Sequence, residues 1–418
     1  WIQSYDTAAG RQALRNLAGL GVCTAISQAC AFGVLLLLTN GLGPEGFGTY
    51  VFGTNVLVYL VAVGGVGLAT VVVRDLNLRP DRADSTTTAF VVITVAGAAV
   101  AGAATAVVAA LAPISAVERH LLLIVAVAAM PMCLNLNPLF DSHHRQALSA
   151  ALSIPGDVLM LGGVAALQHS ELLTAPAAGL LLLGKHAITL IAQAAIYHRA
   201  VRPFRWAWDP TWAGSLLRSG RFMLTAGLVY MVPLQGGVIL ARLLRGERDA
   251  GLYGVAFQIA SAYLFAGTLV TRIVQPHIAG PYGLERLFVR KLIASMGGIL
   301  IMLWLAGAGA AWLLVHRLLD PAYAPAFGPM LVLLTTATVA IATGVVNLYL
   351  LRLNCERTLQ AVYLGAAGVY VALALSSAGS PLALFAAASV AVFVMAAAIV
   401  VPAARRAAHT AADHESGL

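Results

Sequence analysis

Two charged side chains inside long apolar stretches are the residues of this sequence best suited to chemistry. Lys185 lies halfway along such a stretch, in Leu-Leu-Gly-Lys-His at 182–186. A lysine at the centre of a membrane-spanning helix costs roughly 2.5–3.5 kcal/mol on insertion scales. This cost predicts a compensating role. The ammonium group either lines a polar cavity, where it holds an anion, or neutralises a buried carboxylate purely for architecture, because snorkelling is difficult from a central position.

Asp157 is the only carboxylate near the middle of an apolar stretch, and the order of the stretches makes it the natural partner of Lys185. It follows Pro155-Gly156, which loosens a helix and frees a carbonyl for polar contact. Two interpretations stay open: Asp157 binds a coupling proton or sodium ion, or it neutralises Lys185. His186 can titrate near neutral pH, but consecutive helical residues point about 100° apart. We therefore expect His186 to pack or to hydrogen-bond between helices.

These side chains need helices to position them, and apolar stretches of about twenty residues fill nearly the whole chain. With 60% apolar residues, 10% charged residues and a mean hydropathy of +0.87, a chain of 418 residues lacks the polar surface that a soluble protein needs. We predict an all-α, polytopic membrane protein with about twelve transmembrane helices. The predicted spans are 16–39, 47–73, 86–112, 120–140, 147–167, 174–197, 222–243, 251–275, 292–316, 325–350, 358–378 and 382–404.

The second half of the chain repeats the pattern of the first. The segment 43–60 aligns with 246–263, so that Gly48 falls on Gly251, and we expect these two glycines at equivalent outer turns. Paired halves of this kind are common among secondary transporters. We predict two six-helix lobes with a linker and a tail, at 1–197, 198–221, 222–404 and 405–418.

The distribution of basic residues predicts the orientation, because cytoplasmic loops favour them. With the N-terminus inside, nineteen of the 25 lysine and arginine residues fall in inside segments. Both termini are therefore predicted to be cytoplasmic, and no cleavable signal peptide is expected before the first span. The net charge of +8 follows from this bias and from attraction to anionic lipid, so it requires no nucleic-acid partner.

The linker 198–221 places Trp206, Trp208 and Trp212 among five arginines. Indole rings sit at headgroup level in membranes, and arginines face phosphates there. We predict an interfacial linker, with a docking site for lipid phosphates as the alternative. Stacking on nucleic-acid bases is the least favoured interpretation, because no soluble domain surrounds the segment.

Catalytic and metal motifs are missing from the sequence. It contains no Walker motif, no HExxH and no Gly-x-Ser-x-Gly. The acids of the predicted outer loops form no pair that would serve acid–base catalysis, so we do not expect an enzyme. These acids are Glu45, Glu118, Glu171 and Asp320. The cysteines form neither CxxC nor a metal spacing, so we expect structural packing and no cofactor or metal. They are Cys23, Cys30, Cys133 and Cys355.

Several short motifs resemble those of one transporter family. The chain reads Gly-Pro-Glu-Gly-Phe-Gly-Thr-Tyr at 43–50 and Gly-Val-Gly-Leu at 65–68, shortly before Arg74. It continues with Asn-Pro-Leu-Phe at 137–140 and Ala-Gly-Leu-Tyr-Gly-Val-Ala at 250–256. Together these motifs resemble the polysaccharide flippases, the O-antigen and exopolysaccharide transporters of the multidrug/oligosaccharidyl-lipid/polysaccharide exporter superfamily. The resemblance covers nearly the full chain.

The resemblance implies a V-shaped bundle whose central cavity opens alternately to the two faces of the membrane. It also implies polyprenyl-diphosphate-linked sugars as substrates. Such a headgroup cannot cross hydrocarbon unaided, so a hydrated, cationic cleft is needed, and Lys185 is the best candidate to line it. Family members often carry an aspartate in the seventh span. Here the span reads Pro-Leu-Gln-Gly-Gly at 233–237, so ion coupling assigned to that aspartate does not carry over.

Further polar residues are candidates for substrate contact. Arg74 and Arg272 occupy similar places near the inner ends of the second and eighth spans. They either capture a diphosphate bidentately or act as positive-inside anchors. The chemistry of the spans adds four candidates for polar lining, which are Arg242, Asn55, Gln235 and Asn347.

The predicted function is a flippase that translocates polyprenyl-diphosphate-linked oligosaccharide by alternating access. The predicted location is a bacterial cytoplasmic membrane, with membrane lipid as a partner and a polysaccharide polymerase and other pathway proteins as candidate partners. The alternatives are an ion-coupled multidrug or cation antiporter of the same superfamily, a membrane-embedded polysaccharide-assembly enzyme, and a scaffold for the assembly machinery. An antiporter is expected to show more membrane carboxylate and less cationic lining.

Overall fold

The computed structural model describes the backbone of residues 8–279, 286–352 and 356–416. Within these ranges the chain forms thirteen α-helices and no strand, which confirms the all-α prediction. The first seven helices are α1 (Ala8–Gly64), α2 (Leu68–Leu78), α3 (Ala83–Leu111), α4 (Ala116–Cys133), α5 (Asn137–Ser142), α6 (Gln146–His169) and α7 (Ala175–Ile196). The other six are α8 (Pro210–Arg245), α9 (Glu247–Ala279), α10 (Arg286–Leu313), α11 (Phe327–Arg352), α12 (Glu356–Ser376) and α13 (Leu382–Ser416).

The helices are those of a multi-pass membrane protein. Among the described residues, ten helical runs are long and apolar enough to cross a bilayer, and the first of them, Ala18–Leu78, covers nearly all of the first predicted span and the whole of the second. Large apolar side chains remain on the protein surface, including Leu111 at 80% exposure and Met302 at 73%. In water this exposure would be costly, whereas lipid solvates these side chains as well as a protein interior does.

The contacts divide the chain into two compact units. The first consists of Trp1–Leu42 and Gly53–Leu228, and the second of Gly43–Phe52 and Val229–Leu418. The chain therefore enters the second unit for one short segment near its start. The entry point is Gly43, whose φ of 66° and ψ of 177° break the helical geometry inside α1. Only glycine adopts this region readily, because a Cβ atom would clash with the backbone.

In the first unit, α6 packs on α7, α7 on α4, and α4 on α3. The connections α2–α3, α4–α6 and α7–α8 lie at one common end of this unit, where they enclose an apolar cluster that contains Leu76, Phe90, Phe140, Tyr197 and Trp212. The predicted fourth span is interrupted within this end. The side-chain oxygen of Asn135 accepts a hydrogen bond from the backbone N–H of Asn137 at 2.9 Å. The backbone therefore turns between α4 and α5 instead of continuing as one helix.

In the second unit, α11 packs between α9 and α13, and α12 packs on α13. The core contains Tyr363, Tyr370 and Phe393. Gly48 and Gly251 both belong to this unit and both lie in helices, not in the outer turns that the sequence suggested. A Cβ atom on Gly48 would lie 1.9 Å from the carbonyl oxygen of Glu247, and one on Gly251 would lie 1.9 Å from that of Pro44. The two helical segments therefore cross in direct backbone contact.

Candidate functional site

The two charges predicted to be partners meet between α6 and α7. The Lys185 ammonium nitrogen lies 2.7 Å from Oδ1 of Asp157, whose side chain is 6% exposed, while that of Lys185 is 26% exposed. The helices approach closely here because the residue before the carboxylate is Gly156. A Cβ atom at that position would lie 2.7 Å from the carbonyl oxygen of Lys185 and 2.8 Å from the Thr189 hydroxyl oxygen.

The geometry of this pair leaves the lysine able to bind a second partner. An ammonium group has three N–H donors, and the contact with Asp157 occupies one carboxylate oxygen at 2.7 Å. The two side chains are also unequally exposed, since the Asp157 carboxylate is buried and about a quarter of the Lys185 side chain is exposed. The enclosed carboxylate can therefore hold the ammonium group in place while the lysine presents positive charge outward. His186, the next residue on α7, is half-buried.

The arginine candidates are held differently. Arg74 is exposed, and its Nε donates to Asp75 on the same helix at 2.9 Å. Arg242 lies at the corner between α8 and α9, where its guanidinium group donates to Glu247 at 2.9 Å. Arg242 thus joins the two helices at this corner. The side chain of Arg272 lies outside the described residues.

Arg245, which the sequence analysis did not select, stabilises the same corner. It pairs with Asp249 at 2.7 Å and donates to the backbone oxygens of Ala378 at 2.5 Å and Ser380 at 2.6 Å. This arginine therefore joins the α8–α9 corner to the connection between α12 and α13. The sequence does contain a signal for this ion pair, because Asp249 follows Arg245 by four residues. This is the spacing at which oppositely charged side chains meet on a helix.

The three uncharged candidates lie in different units. Asn55 belongs to the first unit and is 4% exposed. Gln235 and Asn347 belong to the second unit, and within the described part of the chain the side-chain oxygens of both are buried without a hydrogen-bond partner. The Asn347 amide donates to the Tyr363 hydroxyl at 2.6 Å, and the Tyr363 ring packs edge-on against Tyr230 at 5.2 Å. Asn347 is thus a polar group on the border of an aromatic cluster.

The sequence analysis did not identify a buried polar network on the two helices that carry the charged pair. Gln193 on α7 is 1% exposed. Its side-chain nitrogen donates to the side-chain oxygen of Asn137 on α5 at 2.8 Å, and its side-chain oxygen accepts from the backbone N–H of Leu136 at 3.1 Å. The Ser149 hydroxyl on α6 also donates to Asn137. A satisfied polar network inside a membrane protein fixes the helices that carry it, and this one joins α5, α6 and α7 on the same helix pair that carries Lys185.

The described residues offer no grouping of three His, Cys, Asp or Glu side chains that would hold a metal ion. The cysteines among them, Cys23, Cys30 and Cys133, are free thiols. The fourth, Cys355, lies outside the described residues.

The fold resembles those of several solved membrane transporters. An inward-facing multidrug resistance transporter of the MATE family and MOP superfamily gives a TM-score of 0.70 at 13% identity, over 94% of this chain and 98% of that one. The lipid II flippase MurJ in an inward closed conformation also gives 0.70, at 10% identity over 92% and 87%. A MOP superfamily transporter from Pyrococcus furiosus gives 0.59, at 12% identity over 97% and 96%.

Sequence comparison identifies the family. No curated protein sequence matches the chain significantly. A sequence profile of the family described as polysaccharide biosynthesis protein matches residues 13–279. Because this match spans well over half of the 418 residues, the chain belongs to the polysaccharide biosynthesis protein family.

Proposed function

We propose that the protein is a flippase that moves polyprenyl-diphosphate-linked oligosaccharide across a bacterial cytoplasmic membrane by alternating access. The observation that carries this proposal is the family match, found in a chain built almost entirely of membrane-spanning helices. Polysaccharide assembly requires a charged, sugar-bearing headgroup to pass through hydrocarbon, where an unaccompanied charge is costly. The fold likeness to a lipid II flippase supports the same type of cargo.

Lys185 is proposed to contact the diphosphate. In the absence of substrate, Asp157 neutralises the ammonium group and keeps it in place at 2.7 Å. A diphosphate oxygen then approaches the exposed side of the lysine and forms a charge-assisted hydrogen bond, which is about twice as strong as a neutral one. Asp157 is accordingly a positioning residue. The exposed Arg74, and Arg272 in the other half of the chain, are proposed to capture the diphosphate at the cytoplasmic mouth.

Transport in this proposal needs no catalytic residue, and both termini are proposed to be cytoplasmic. The pathway enzymes that supply the lipid-linked sugar and the polymerase that consumes it would be neighbours in the membrane. A chain with this role binds its substrate transiently, so weak, reversible contacts suit it better than a tight site.

A multidrug or cation antiporter is the second candidate, and two observations favour it. The fold is shared with a multidrug resistance transporter, and the enclosed carboxylate of Asp157 would attract a cationic drug or a coupling proton. The presence of Lys185 beside that carboxylate is the argument against it, because the ammonium group already compensates the negative charge.

The test is complementation of a flippase-deleted bacterial host, with surface polysaccharide measured at matched expression. We expect Lys185→Ala to abolish surface polysaccharide while the protein stays inserted and Asp157→Asn to retain part of it, because the cation remains. Gly162→Ala on α6 is a suitable control, since a Cβ atom there meets nothing within 4 Å.

Three outcomes of that experiment are informative. Full complementation by Lys185→Ala would remove the proposed role of the cation. Equal loss in Lys185→Ala and Asp157→Asn, with reduced protein in the membrane, would show an architectural pair. Export of small cationic drugs by the wild type, with no effect on polysaccharide, would move the assignment to the antiporter.

A further inference from the structure

Hydrogen bonds join the connection between α7 and α8 to the start of α3. Arg202 donates to Asp84 at 2.9 Å, and the Ala207 amide donates to the Thr88 hydroxyl at 3.0 Å. The Trp212 indole then donates to Thr86 at 2.9 Å. These contacts hold the connection in one position on α3. They therefore fix which of its side chains face outward.

Trp212 is enclosed, and two arginines stack against it. Its side chain is 6% exposed. The guanidinium carbons of Arg79 and Arg82 lie 4.9 Å and 5.0 Å from the centre of its ring. Cation–π contact of this kind holds the stems of both arginines in place, while both residues remain exposed at the surface. The ring therefore holds two positive charges within 5.0 Å of its centre.

The same end of the first unit exposes two further tryptophans. Trp206 is 65% exposed and Trp208 is 47% exposed, and Arg205 beside them is exposed as well. We call Arg79, Arg82, Arg205, Trp206 and Trp208 the arginine–tryptophan surface. All five belong to the first unit and lie on the α2–α3 and α7–α8 connections, where the apolar helices end.

The carboxylates close to this surface are mostly engaged. Asp84 pairs with Arg202. Asp209 accepts the amide hydrogens at the start of α8 and lies 4.0 Å from Arg82. Asp81 is exposed. Neither Arg79 nor Arg205 forms an ion pair within the described part of the chain, so the surface retains positive charge for an external anion.

We infer that the arginine–tryptophan surface binds the phosphate headgroups of anionic phospholipids in the leaflet at this end of the helices. Indole rings favour the headgroup level, where their apolar faces enter the acyl boundary. Guanidinium groups bind phosphate oxygens bidentately, and anionic lipid supplies a dense layer of them. This inference does not depend on what the protein transports.

The binding of single lipids to the purified, detergent-solubilised full chain tests the inference. Phosphatidylglycerol or phosphatidylcholine is titrated in, and the bound population is counted by native mass spectrometry. We expect tighter binding of phosphatidylglycerol by the wild type. In the triple variant Arg79→Gln, Arg82→Gln and Arg205→Gln, the affinity for this lipid should fall roughly fivefold for each arginine removed.

A matched control carries the same change of charge elsewhere. It replaces three exposed arginines elsewhere in the chain with glutamine, namely Arg119 near the start of α4, Arg248 near the start of α9 and Arg317 after the end of α10. The control should keep the wild-type preference. The variant Trp206→Ala with Trp208→Ala should weaken binding of both lipids and keep the preference between them, because the rings interact with the acyl boundary. If the triple variant does not fold, Arg205→Gln alone tests the same point, since this exposed side chain has no ion pair among the described residues.

Three results would overturn the inference. The first is equal affinity of the wild type for the two lipids. The second is an equal loss in the control and in the triple variant, which would mean a nonspecific effect of net charge. The third is full displacement of phosphatidylglycerol by inorganic phosphate at equal concentration, which would assign the surface to a soluble phosphate.

Discussion

At the residue scale, Lys185 and Asp157 show how a membrane protein retains charge in its interior. Either charge alone would be expensive among the apolar side chains of α6 and α7, and together at 2.7 Å they compensate each other. The sequence pointed to both residues, because each is the exceptional charge in its span and the two spans are neighbours. It could not show that Gly156 lies against α7, where its missing side chain allows the helices to approach.

Reversing the two charges tests the pair directly. We expect Lys185→Asp or Asp157→Lys alone to reduce the amount of folded protein, because each places like charges together at a cost of about 3–5 kcal/mol. The double reversal should restore part of the loss. The measurement is the monodisperse fraction by fluorescence-detected size exclusion, and a double variant no better than the sum of the two single losses would contradict the pairing.

Asp209 is a residue whose role depends on pH. Its carboxylate accepts from the Thr211 hydroxyl at 2.6 Å and from the Trp212 amide at 3.0 Å at the start of α8. These hydrogen bonds, together with the charge of Arg82, lower the pKa of Asp209 below its usual range. Because the folded-state pKa is the lower one, the stabilisation is complete above the unfolded-state pKa of about 3.9 and is lost as the pH falls through the folded-state pKa.

We therefore expect Asp209→Ala to lower the melting temperature of the purified protein at neutral pH. The difference from the wild type should shrink in acid, because the wild type then loses its carboxylate. Asp81→Ala is a suitable control, since Asp81 is an exposed aspartate at the same end of the unit. A difference that is constant with pH would mean that the carboxylate charge does not matter.

At the element scale, the helices could be predicted much better than their interruptions. Apolar length is a property of one segment, so the sequence predicts about twelve spans, and ten helical runs of the described residues are long and apolar enough to cross a bilayer. Interruptions depend on partners. The turn between α4 and α5 needs Asn135, and α5 is held by Gln193, which is 56 residues distant from Asn137. No local pattern shows that Asn137 and Gln193 meet.

The sequence also contained a local signal for the start of α4 that was interpreted differently. We predicted that Glu118 is an acid of an outer loop. In the structure it is 2% exposed and forms a reciprocal pair of hydrogen bonds with Ser115 at the start of α4. The spacing Ser-x-x-Glu is the signature of this cap. The residue types were therefore sufficient to predict the role of Glu118.

Gly43 interrupts α1 with a backbone conformation that favours glycine. Its φ of 66° and ψ of 177° lie in a region that costs other residues about 1–3 kcal/mol. A Cβ atom at this position would meet nothing within 4 Å, so Gly43→Ala tests backbone strain without a packing clash. We expect a lower melting temperature. Gly162→Ala, which also adds a methyl group in open space, should be neutral or slightly stabilising in its helix.

At the scale of the whole molecule, the internal repeat has a structural counterpart. Residues 44 and 48 correspond to 247 and 251 in the aligned segments. In the structure Gly48 lies against the backbone of Glu247, and Gly251 lies against that of Pro44. Equivalent segments thus make reciprocal contacts inside the second unit, as an interface around a twofold axis does. This contact explains why Gly43–Phe52 groups with the second unit, a division that sequence order alone does not predict.

The connections of the first unit differ in charge. The connections that carry Arg79, Arg82, Arg202 and Arg205 gather at one end. At another place in the same unit, Gly41 packs against Leu173, in the sparsely charged connection between α6 and α7. Since cytoplasmic connections favour basic residues, we propose that the arginine-bearing end is cytoplasmic.

Cysteine labelling in intact cells checks this orientation. In a background in which all four native cysteines are replaced, we expect single cysteines at Glu45 and Glu171 to react with a membrane-impermeant maleimide from outside. Both residues are exposed, and Glu171 lies in the connection between α6 and α7. Cysteines at Arg82 and Arg286 should react only after the membrane is permeabilised, because they belong to connections predicted to be cytoplasmic. Labelling of all four from one side would contradict the alternation of the spans, and a complete reversal of the pattern would keep the fold but place the basic end outside.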